Sequence, residues 1–200
     1  MIKYFKLRNT IKSLLFVLTF SGCAALGTKT LTKSKEIKKY NISKIGYSQL
    51  ASENILNRIK GGTSEIFQLS MEQYFENKSI KIEKHTLMHF DFIENIDPNE
   101  IINICKENNL DGFLCTQIKY KFVNTSYMFI PTGKSEDVYV NIKLFNNTGE
   151  LMCHTRHNTL AGNSYMMAPK ANKTIRDGTF GALNQIFKEI SRSKKDKSKS

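Results

Sequence analysis

Histidine and cysteine side chains, the usual ligands of transition metals, stand close together in two segments of the chain. His85 and His89 are four residues apart, and Cys153, His154 and His157 lie within one short stretch. Both segments alternate apolar and polar residues as strands do, and four residues of a strand span about 13 Å. Adjacent strand residues also face opposite sides of the sheet, so neither group is expected to converge on one ion. We therefore predict no metal site.

Other segments carry residue types used in phosphate binding or hydrolysis, but none has the complete pattern. Residues 132–135 match the end of a phosphate-binding loop, yet Met128 occupies the position of its first glycine and a strand is predicted to follow. Residues 162–166 lack the second glycine of a nucleophile elbow. Four acids surround one loop without forming an evident pair: Asp91, Glu94, Asp97 and Glu100. The sequence thus predicts no catalytic residue, and an enzyme would need a site assembled from distant residues.

Cys23 follows directly on a segment with the features of a secretory signal peptide. The first twelve residues contain four basic side chains and no acid, and residues 13–20 are almost wholly apolar. A basic start followed by a short apolar run is typical of a signal peptide, whereas a membrane-spanning helix needs roughly 20 apolar residues. We therefore predict that residues 1–22 are removed.

Residues 20–24, Phe-Ser-Gly-Cys-Ala, resemble the lipobox of bacterial lipoproteins. The resemblance implies cleavage between Gly22 and Cys23 and a diacylglyceryl group on the Cys23 thiol. The family usually has an aliphatic residue where Phe20 stands, so the motif is relaxed, and cleavage nearby by an ordinary signal peptidase is the alternative.

A lipoprotein N-terminus implies a permanent membrane attachment. Three acyl chains, at about 0.8 kcal/mol per buried methylene, anchor a protein stably. Ala24, rather than an aspartate, after the cysteine implies sorting to the outer membrane with the domain facing the periplasm, with the inner membrane or the cell surface as alternatives. Apart from this covalent lipid, no cofactor is predicted.

The formal net charge of +12 lies outside the central part of the chain. Residues 29–39 and 192–199 each contain five basic residues and one acid, whereas residues 40–190 contain 16 basic and 16 acidic residues and are neutral. Because binding to a phosphate backbone requires clustered Lys and Arg, nucleic acid is excluded as a partner. We predict a basic, lipidated tether at 23–40 and a basic disordered tail at 191–200, both solvated, with attraction to anionic lipid or polymer surfaces as an alternative role.

One domain is expected at residues 41–190, since removal of 22 residues from 200 leaves 178, enough for a single core. Three further cysteines are Cys105, Cys115 and Cys153. One disulfide with a free thiol is one alternative. Their apolar surroundings favour buried, reduced side chains.

The N-terminal half of this domain predicts strand, helix, strand, helix. Residues 42–50 indicate a strand, Ser52 or Ser64 is expected to cap helical segments ending near Asn77 with an interruption at 61–62, and residues 79–86 alternate as a short strand. A helix over 98–108 is predicted most firmly, because Asp97 can cap it, a proline follows, and Glu100 occupies the third helical position.

The C-terminal half predicts several strands and a closing helix. Residues 109–112 turn into a strand over 113–122, and residues 138–145 and 151–160 form an antiparallel hairpin around a turn at 146–149. Residues 121–137, with an apolar stretch at 127–131, are the only apolar insert that could touch a membrane or a partner, but an ordinary packed hairpin loop is the expectation. Residues 173–190 place an apolar stripe on one helical face. The prediction is an α/β fold: one two-layer or three-layer sandwich with a mixed sheet.

This order of elements resembles a group of envelope proteins that includes curli-secretion lipoproteins, lipoprotein activators of peptidoglycan synthases and the N-terminal domain of the TolB translocation protein. The likeness covers residues 42–190 and rests on the turns at 108–112 and 147–150. It implies a three-layer α/β fold that contacts protein partners and has no active site. The long amphipathic membrane hairpins of the curli pore have no counterpart in this sequence.

The leading hypothesis is an outer-membrane lipoprotein whose domain binds or helps assemble another envelope complex, such as a synthase, a secretion channel or a Tol-type complex. One alternative is a lipid-tethered hydrolase, marked by a pocket with a Ser or Cys beside one of the four histidines. Another is an oligomeric secretion-pore subunit, marked by two long amphipathic strands that leave the domain. The oligomeric state is not fixed by the sequence.

Overall fold

A single six-stranded sheet organises the chain, in a computed structural model that describes residues 27–51, 62–88, 90–127, 130–159 and 171–196. The strands are β1 (Thr28–Lys33), β2 (Lys44–Leu50), β3 (Lys81–His85), β4 (Gly112–Tyr127), β5 (Ile130–Asn146) and β6 (Leu151–Asn158). The helices are α1 (Thr63–Glu76), α2 (Pro98–Asn108) and α3 (Ala171–Asp196), with a short 3-10 helix at Lys35–Lys39.

The strand order is β1-β6-β5-β4-β2-β3. Strand β2 is parallel to β3 and β4, and the other pairs are antiparallel. The predicted α/β class, mixed sheet and closing C-terminal helix are confirmed.

The sheet is covered on both faces, which makes three layers. On one face α1 and α3 pack over strand residues such as Leu114 and Ile142. On the other face α2 and residues 86–97 pack over Phe113 and Phe145. Because strand side chains alternate between faces, the neighbours Phe113 and Leu114 enter different cores. Each is fully buried, and burial of such a side chain contributes about 1.5–3 kcal/mol.

Helix α2 has the predicted bounds, and its ends have the predicted chemistry. The Asp97 side chain accepts a hydrogen bond from the backbone N–H of Asn99 at 2.9 Å, and Asn109 ends the helix in a left-handed conformation at φ 52°. Glu100 differs from the expected capping role, because its Oε1 accepts a hydrogen bond from the backbone N–H of Met88 at 2.6 Å. Glu100 therefore ties the preceding loop to the helix.

Helix α1 begins one residue before the predicted cap Ser64. Gly62 is the N-cap residue, at φ 80°, and it makes no side-chain cap hydrogen bond. Only glycine adopts that left-handed conformation readily, so the chain geometry at Gly62 starts the helix. The prediction of Ser64 as the cap is wrong, while Ser52 and Gly61 lie outside the described residues. The helix ends at Glu76, beside the predicted end at Asn77.

The predicted N-terminal tether is folded from Thr28 onward. Strand β1 pairs antiparallel with β6 along the edge of the sheet, and Ile37 of the 3-10 helix is completely buried. The ε-ammonium of Lys33 also contacts the carboxylate of Glu189 on α3 at 2.7 Å. These pairings order the segment. The assignment of all of 23–40 to a tether is therefore wrong from Thr28 onward.

The tail is shorter than predicted, because α3 continues to Asp196. The buried face of α3 contains the stripe expected from the sequence, namely Ile175, Thr179, Ala182, Ile186 and Ile190. Residues 197–200 lie outside the described part of the chain.

Residues 121–127 and 130–137 form a two-stranded β-ribbon instead of a loop. Strands β4 and β5 stay paired beyond the sheet, from Lys121 opposite Asp137 to Tyr127 opposite Ile130, with a register shift after Thr125. No third strand of the described chain pairs with this stretch. Backbone pairing, propagated from the sheet, therefore replaces the loop packing that the sequence had suggested. We call residues 121–127 and 130–137 the ribbon.

Candidate functional site

Strand β6 separates the residues that resembled a metal cluster. Cys153 is buried in the core beneath α1 and α3, and the ring of His157 faces α3, where it lies against Gly181. His154 lies between them in sequence and so points to the opposite face. The predicted alternation is confirmed. His89 lies outside the described residues, and in the rest no three His, Cys, Asp or Glu side chains approach closely enough to hold an ion.

A row of polar side chains crosses the sheet on the face covered by α2. The strand register places His85 beside Ser48, Cys115 beside Lys143, and Lys143 beside His154. The hydrolase hypothesis requires a nucleophile and a base in contact, so this row is the place to look for them.

The row has the residue types of a hydrolase but not the contacts. Ser48 Oγ and His85 Nε2 are both buried, and they are not hydrogen-bonded to each other, so they do not form a nucleophile–base pair. Burial raises the pKa of the Cys115 thiol far above its usual range, which keeps it protonated. The Lys143 ammonium donates a hydrogen bond to the Ile93 carbonyl at 2.7 Å. Lys143 of this row therefore supports the loop above it, and the described residues of the row show no nucleophile–base contact.

In this row, His154 is the histidine whose pKa lies far from its usual value. Burial, followed by the nearby charges of Lys143 and Arg156, lowers its pKa to about 4 from 6.5, against a smaller upward effect of Glu94. Its Nε2 is buried without a hydrogen-bond partner. The imidazole is therefore neutral in the folded protein at physiological pH.

Acid should destabilise the domain through His154. Between pH 6.5 and about 4 the unfolded chain binds a proton at His154 that the folded chain does not, so the free energy of unfolding falls as the pH falls through this window. We expect His154→Gln, which cannot take up the proton, to flatten this part of the curve in urea unfolding experiments. An unchanged slope between pH 6.5 and 4 in the variant would show that another group is responsible.

Residues 86–88 and 90–97, which we call loop 86–97, form a well-fixed loop that presents apolar side chains outward. The Gln49 side chain makes two hydrogen bonds to the backbone of Leu87, at 2.7 and 2.8 Å. Beneath the loop three apolar side chains are buried, namely Leu87, Phe90 and Ile93. On its outer side Met88 is 75% exposed and Phe92 51% exposed. Large apolar side chains held outward on a fixed loop are typical of a contact surface for another protein.

The described surface cavities are separate from this loop and from the histidines. They have volumes of about 460, 410 and 470 Å³. One lies between α1 and β3, one is lined by Tyr40, Tyr74 and Phe187, and one lies beside the turn at Asn147 and Thr148. None of these linings contains a histidine. These three cavities therefore lack the Ser or Cys beside a histidine that the hydrolase hypothesis requires.

The start of β1 fixes where the chain leaves the domain toward Cys23. Thr28 lies opposite His157, His157 opposite Val140, and Val140 opposite Ile118, so the four form one row across the sheet. From this row β1 runs away from the ribbon. The chain before Thr28 therefore leaves the sheet at the end from which the ribbon projects.

The connection between Cys23 and β1 is short. Thr28 follows Cys23 by five residues, which reach at most about 18 Å when fully extended. Strand β1 is itself held to α3 by Lys33 and by Gln185, whose Nε2 donates to Thr30 Oγ1 and to Glu189 Oε1, both at 2.9 Å. A lipid on Cys23 would therefore hold this end of the sheet near a membrane. Gly22 and Cys23 lie outside the described residues.

The chain is thus a three-layer α/β domain with the start of β1 and a β-ribbon at one end of the sheet. Within the described ranges no helix is long and apolar enough to cross a membrane. All three described cysteines are buried and unpaired, so no disulfide joins them.

Comparison with known proteins gives similarity at the level of solved structures alone. No protein-family model and no curated protein matches the chain. A PelC dodecamer from Paraburkholderia phytofirmans is 10% identical, with a TM-score of 0.43 over 78% of this chain and 99% of that one. Lipoprotein GNA1162 from Neisseria meningitidis is 12% identical, with a TM-score of 0.42 over 73% and 99%. Hypothetical protein CT253 from Chlamydia trachomatis is 13% identical, with a TM-score of 0.36 over 76% and 95%. Similarity this low assigns no family and no function to the chain.

Proposed function

We propose that this protein is an envelope lipoprotein, anchored through a lipid on Cys23, whose domain contacts another envelope protein and helps to assemble its complex. The observation that carries the proposal is the start of β1 at Thr28, five residues after Cys23. An anchor this close to a folded edge strand restricts both the height and the orientation of the domain. Such restriction suits a protein that must present one surface to a partner in the same envelope.

Loop 86–97 is the surface that we assign to the partner. Met88 and Phe92 are exposed, while the hydrogen bonds from Gln49 and Lys143 hold the loop backbone in place. Asp91 and Glu94 are exposed on the same loop. We therefore expect the partner to offer an apolar pocket with basic residues at its rim.

Site-specific photo-crosslinking in intact cells tests this assignment. A photoreactive amino acid at Met88 or Phe92 should give one discrete adduct of higher mass, because these side chains would be buried in the interface. The matched control is Lys106, an exposed residue of α2 outside the loop, which should give no such adduct. The same adducts from Lys106 as from Met88, or none from either loop position, would contradict the assignment.

The ribbon favours a second candidate, an oligomeric secretion-pore subunit. Two long strands do leave the domain, as that hypothesis requires. However, charged residues occupy register positions on both faces, since Lys121 pairs with Asp137 and Asn124 pairs with Lys134. Because strand faces alternate, neither face of the ribbon has a continuous apolar sequence. The ribbon therefore has the two long strands that a pore subunit requires, but it does not have one continuous apolar face.

A further inference from the structure

We propose that β3 pairs antiparallel with β3 of a second copy of this chain, so that two sheets join across a two-fold axis at Ile82. The inference goes beyond the proposed function, because it concerns the sheet edge at β3 and needs neither the lipid nor the partner at loop 86–97. That loop leads away from the edge, since the carbonyl of Ile93 accepts a hydrogen bond from Lys143 of β5. Both contacts can therefore exist in one assembly.

Strand β3 forms one edge of the sheet, and its outer side is open. Among the described strands only β2 pairs with β3. The backbone N–H of Lys81 donates to the Ser43 carbonyl at 2.9 Å, so Lys81 and every second residue after it bond toward β2. The backbone N–H and C=O groups of the alternate residues therefore point away from the sheet, namely those of Ile80, Ile82 and Lys84.

The opposite edge of the sheet is protected against such pairing, whereas β3 is not. Strand β1 has a register shift between Thr30 and Thr32 and carries Lys29 and Lys33. Bulges and lysines are features that prevent edge strands from pairing with other chains. Strand β3 has no register shift, and its lysines are accompanied by Glu83, so a partner strand can match its charges.

The charges of β3 favour one register of self-pairing. With the axis at Ile82, Lys81 of each copy lies opposite Glu83 of the other. Cross-strand pairs of opposite charge are stabilising, and symmetry forms this pair twice. An axis at Lys81, Glu83 or Lys84 would instead place that residue opposite its own copy, and like charges directly opposite each other are destabilising.

The same register satisfies the outward backbone groups of β3. Ile82 lies opposite Ile82 of the second copy, and each of the two donates a hydrogen bond to the other. Ile80 makes the same exchange with Lys84 of the second copy. Lys81 and Glu83 then form a non-hydrogen-bonded pair, with Cα atoms about 4.5 Å apart, in which the side chains approach most closely.

An apolar groove of about 460 Å³ between α1 and β3 is complementary to a second copy. Its apolar lining consists of Leu69, Phe75, Ile80 and Ile82, and the exposed acids Glu72 and Glu76 also line it. In the proposed register Lys84 of the second copy lies opposite Ile80 and so meets the acidic side of the groove. Pairing would also bring the apolar linings of the two copies together, including Leu69, which is 55% exposed.

The proposed dimer is compatible with the lipid anchor. Its two-fold axis is perpendicular to the sheet, so the two copies run in opposite directions and each places β1 at an outer edge. Both copies can attach to one membrane when the joined sheet lies along the membrane surface.

Disulfide cross-linking of the full-length protein in intact cells tests the register. Ile82→Cys places two thiols at the axis, where the Cα atoms of a hydrogen-bonded pair are about 5.5 Å apart and a disulfide can form. Mild oxidation should convert most of this variant to a covalent dimer. The matched control is Lys84→Cys, which is more exposed but whose two copies would lie four strand residues apart, about 13 Å, too far for a disulfide. It should stay monomeric on a non-reducing gel, as should the wild type.

Charge reversal tests the same pairing without a new cysteine. Lys81→Glu would place carboxylates opposite each other on both sides of the axis. We expect the dissociation constant of the dimer to rise about tenfold or more, as measured by sedimentation equilibrium of the detergent-solubilised protein. Combining Lys81→Glu with Glu83→Lys restores opposite charges across the axis and keeps a carboxylate beside Lys44, which lies opposite position 81 on β2. The double variant should recover the wild-type dissociation constant.

Three results would overturn the inference. They are a monomeric wild type in the sedimentation experiment, equal cross-linking of Ile82→Cys and Lys84→Cys, and equal dissociation constants for the wild type and both charge variants. Because Lys81 is exposed and the Glu83 side chain is 41% exposed, the charge variants should fold even if Ile82→Cys does not. Acylation of Cys23 and adducts at Met88 are measured separately, so failure of the dimer would leave the proposed function standing.

Discussion

Cells that express the Cys23→Ala variant should incorporate no labelled palmitate into this protein, whereas the wild type should be strongly labelled. The Cys23 thiol is the predicted acceptor of the diacylglyceryl group, and alanine offers no nucleophile in its place. The variant should also lose the membrane attachment that acyl chains provide, at about 0.8 kcal/mol per buried methylene. Acyl labelling followed by immunoprecipitation measures the change directly.

The control for this experiment is Cys105→Ala. Cys105 is 1% exposed within the core beneath α2, so its thiol is inaccessible to acyl transfer in the folded domain. Its replacement should leave the acyl label at the wild-type level. Labelling of Cys23→Ala at the wild-type level would refute the lipid anchor.

Asp111→Ala is expected to lower the free energy of unfolding by about 3 kcal/mol. The Oδ2 atom of Asp111 accepts hydrogen bonds from the backbone N–H and the hydroxyl of Ser43, both at 2.7 Å, and from the N–H of Lys44 at 2.9 Å. A hydrogen bond to a charged group contributes about 1.5–3 kcal/mol, and alanine would remove all three, although water can replace the carboxylate at the exposed donors of Ser43. Urea unfolding measures the loss. Glu107→Ala, at an exposed position of α2, should change stability by no more than about 0.5 kcal/mol.

The effect of Asp111 should depend on pH. Burial raises the pKa of its carboxyl group, but the hydrogen bonds from Ser43 and Lys44 outweigh burial, so the pKa is lowered overall. A carboxyl group with a lowered pKa in the folded state stabilises the fold above its unfolded pKa, and the contribution is lost as the pH falls through the folded pKa. The difference between wild type and Asp111→Ala should therefore shrink in acid. An equal difference at neutral and strongly acidic pH would contradict this role.

The sequence predicted those elements whose signals are local. Helix α2 follows from the Asp97 cap, the proline after it and the left-handed Asn109, all within a few residues. The strands of the C-terminal half follow from period-two alternation, because both faces of the sheet are covered and each face requires apolar residues.

Strand β1 could not be predicted in the same way. Its residues are mainly Thr and Lys, and nearly all of them are exposed or half-buried. Such a composition is common on edge strands, where lysine prevents further pairing, and it resembles that of a flexible linker. What orders β1 is its pairing with β6 and its contacts with Gln185 and Glu189, all more than 100 residues along the chain.

The ribbon and the partner loop were missed for related reasons. Pro131, Gly133 and charged residues interrupt the alternation of the ribbon, and its pairing is imposed by the register of β4 and β5 in the sheet. The outward position of Met88 and Phe92 depends on hydrogen bonds from Gln49 and Lys143 in other strands. The Cys23 motif, which is read from adjacent residues, could be proposed from the sequence alone.

Mass spectrometry of the N-terminal peptide of the mature protein, purified from membranes, tests the lipid anchor most directly. Trypsin should release residues 23–29, ending at Lys29. The account predicts that this peptide begins with Cys23 and carries a diacylglyceryl group and a further acyl chain. A mature N-terminus at any other residue, or an unmodified Cys23, would contradict it.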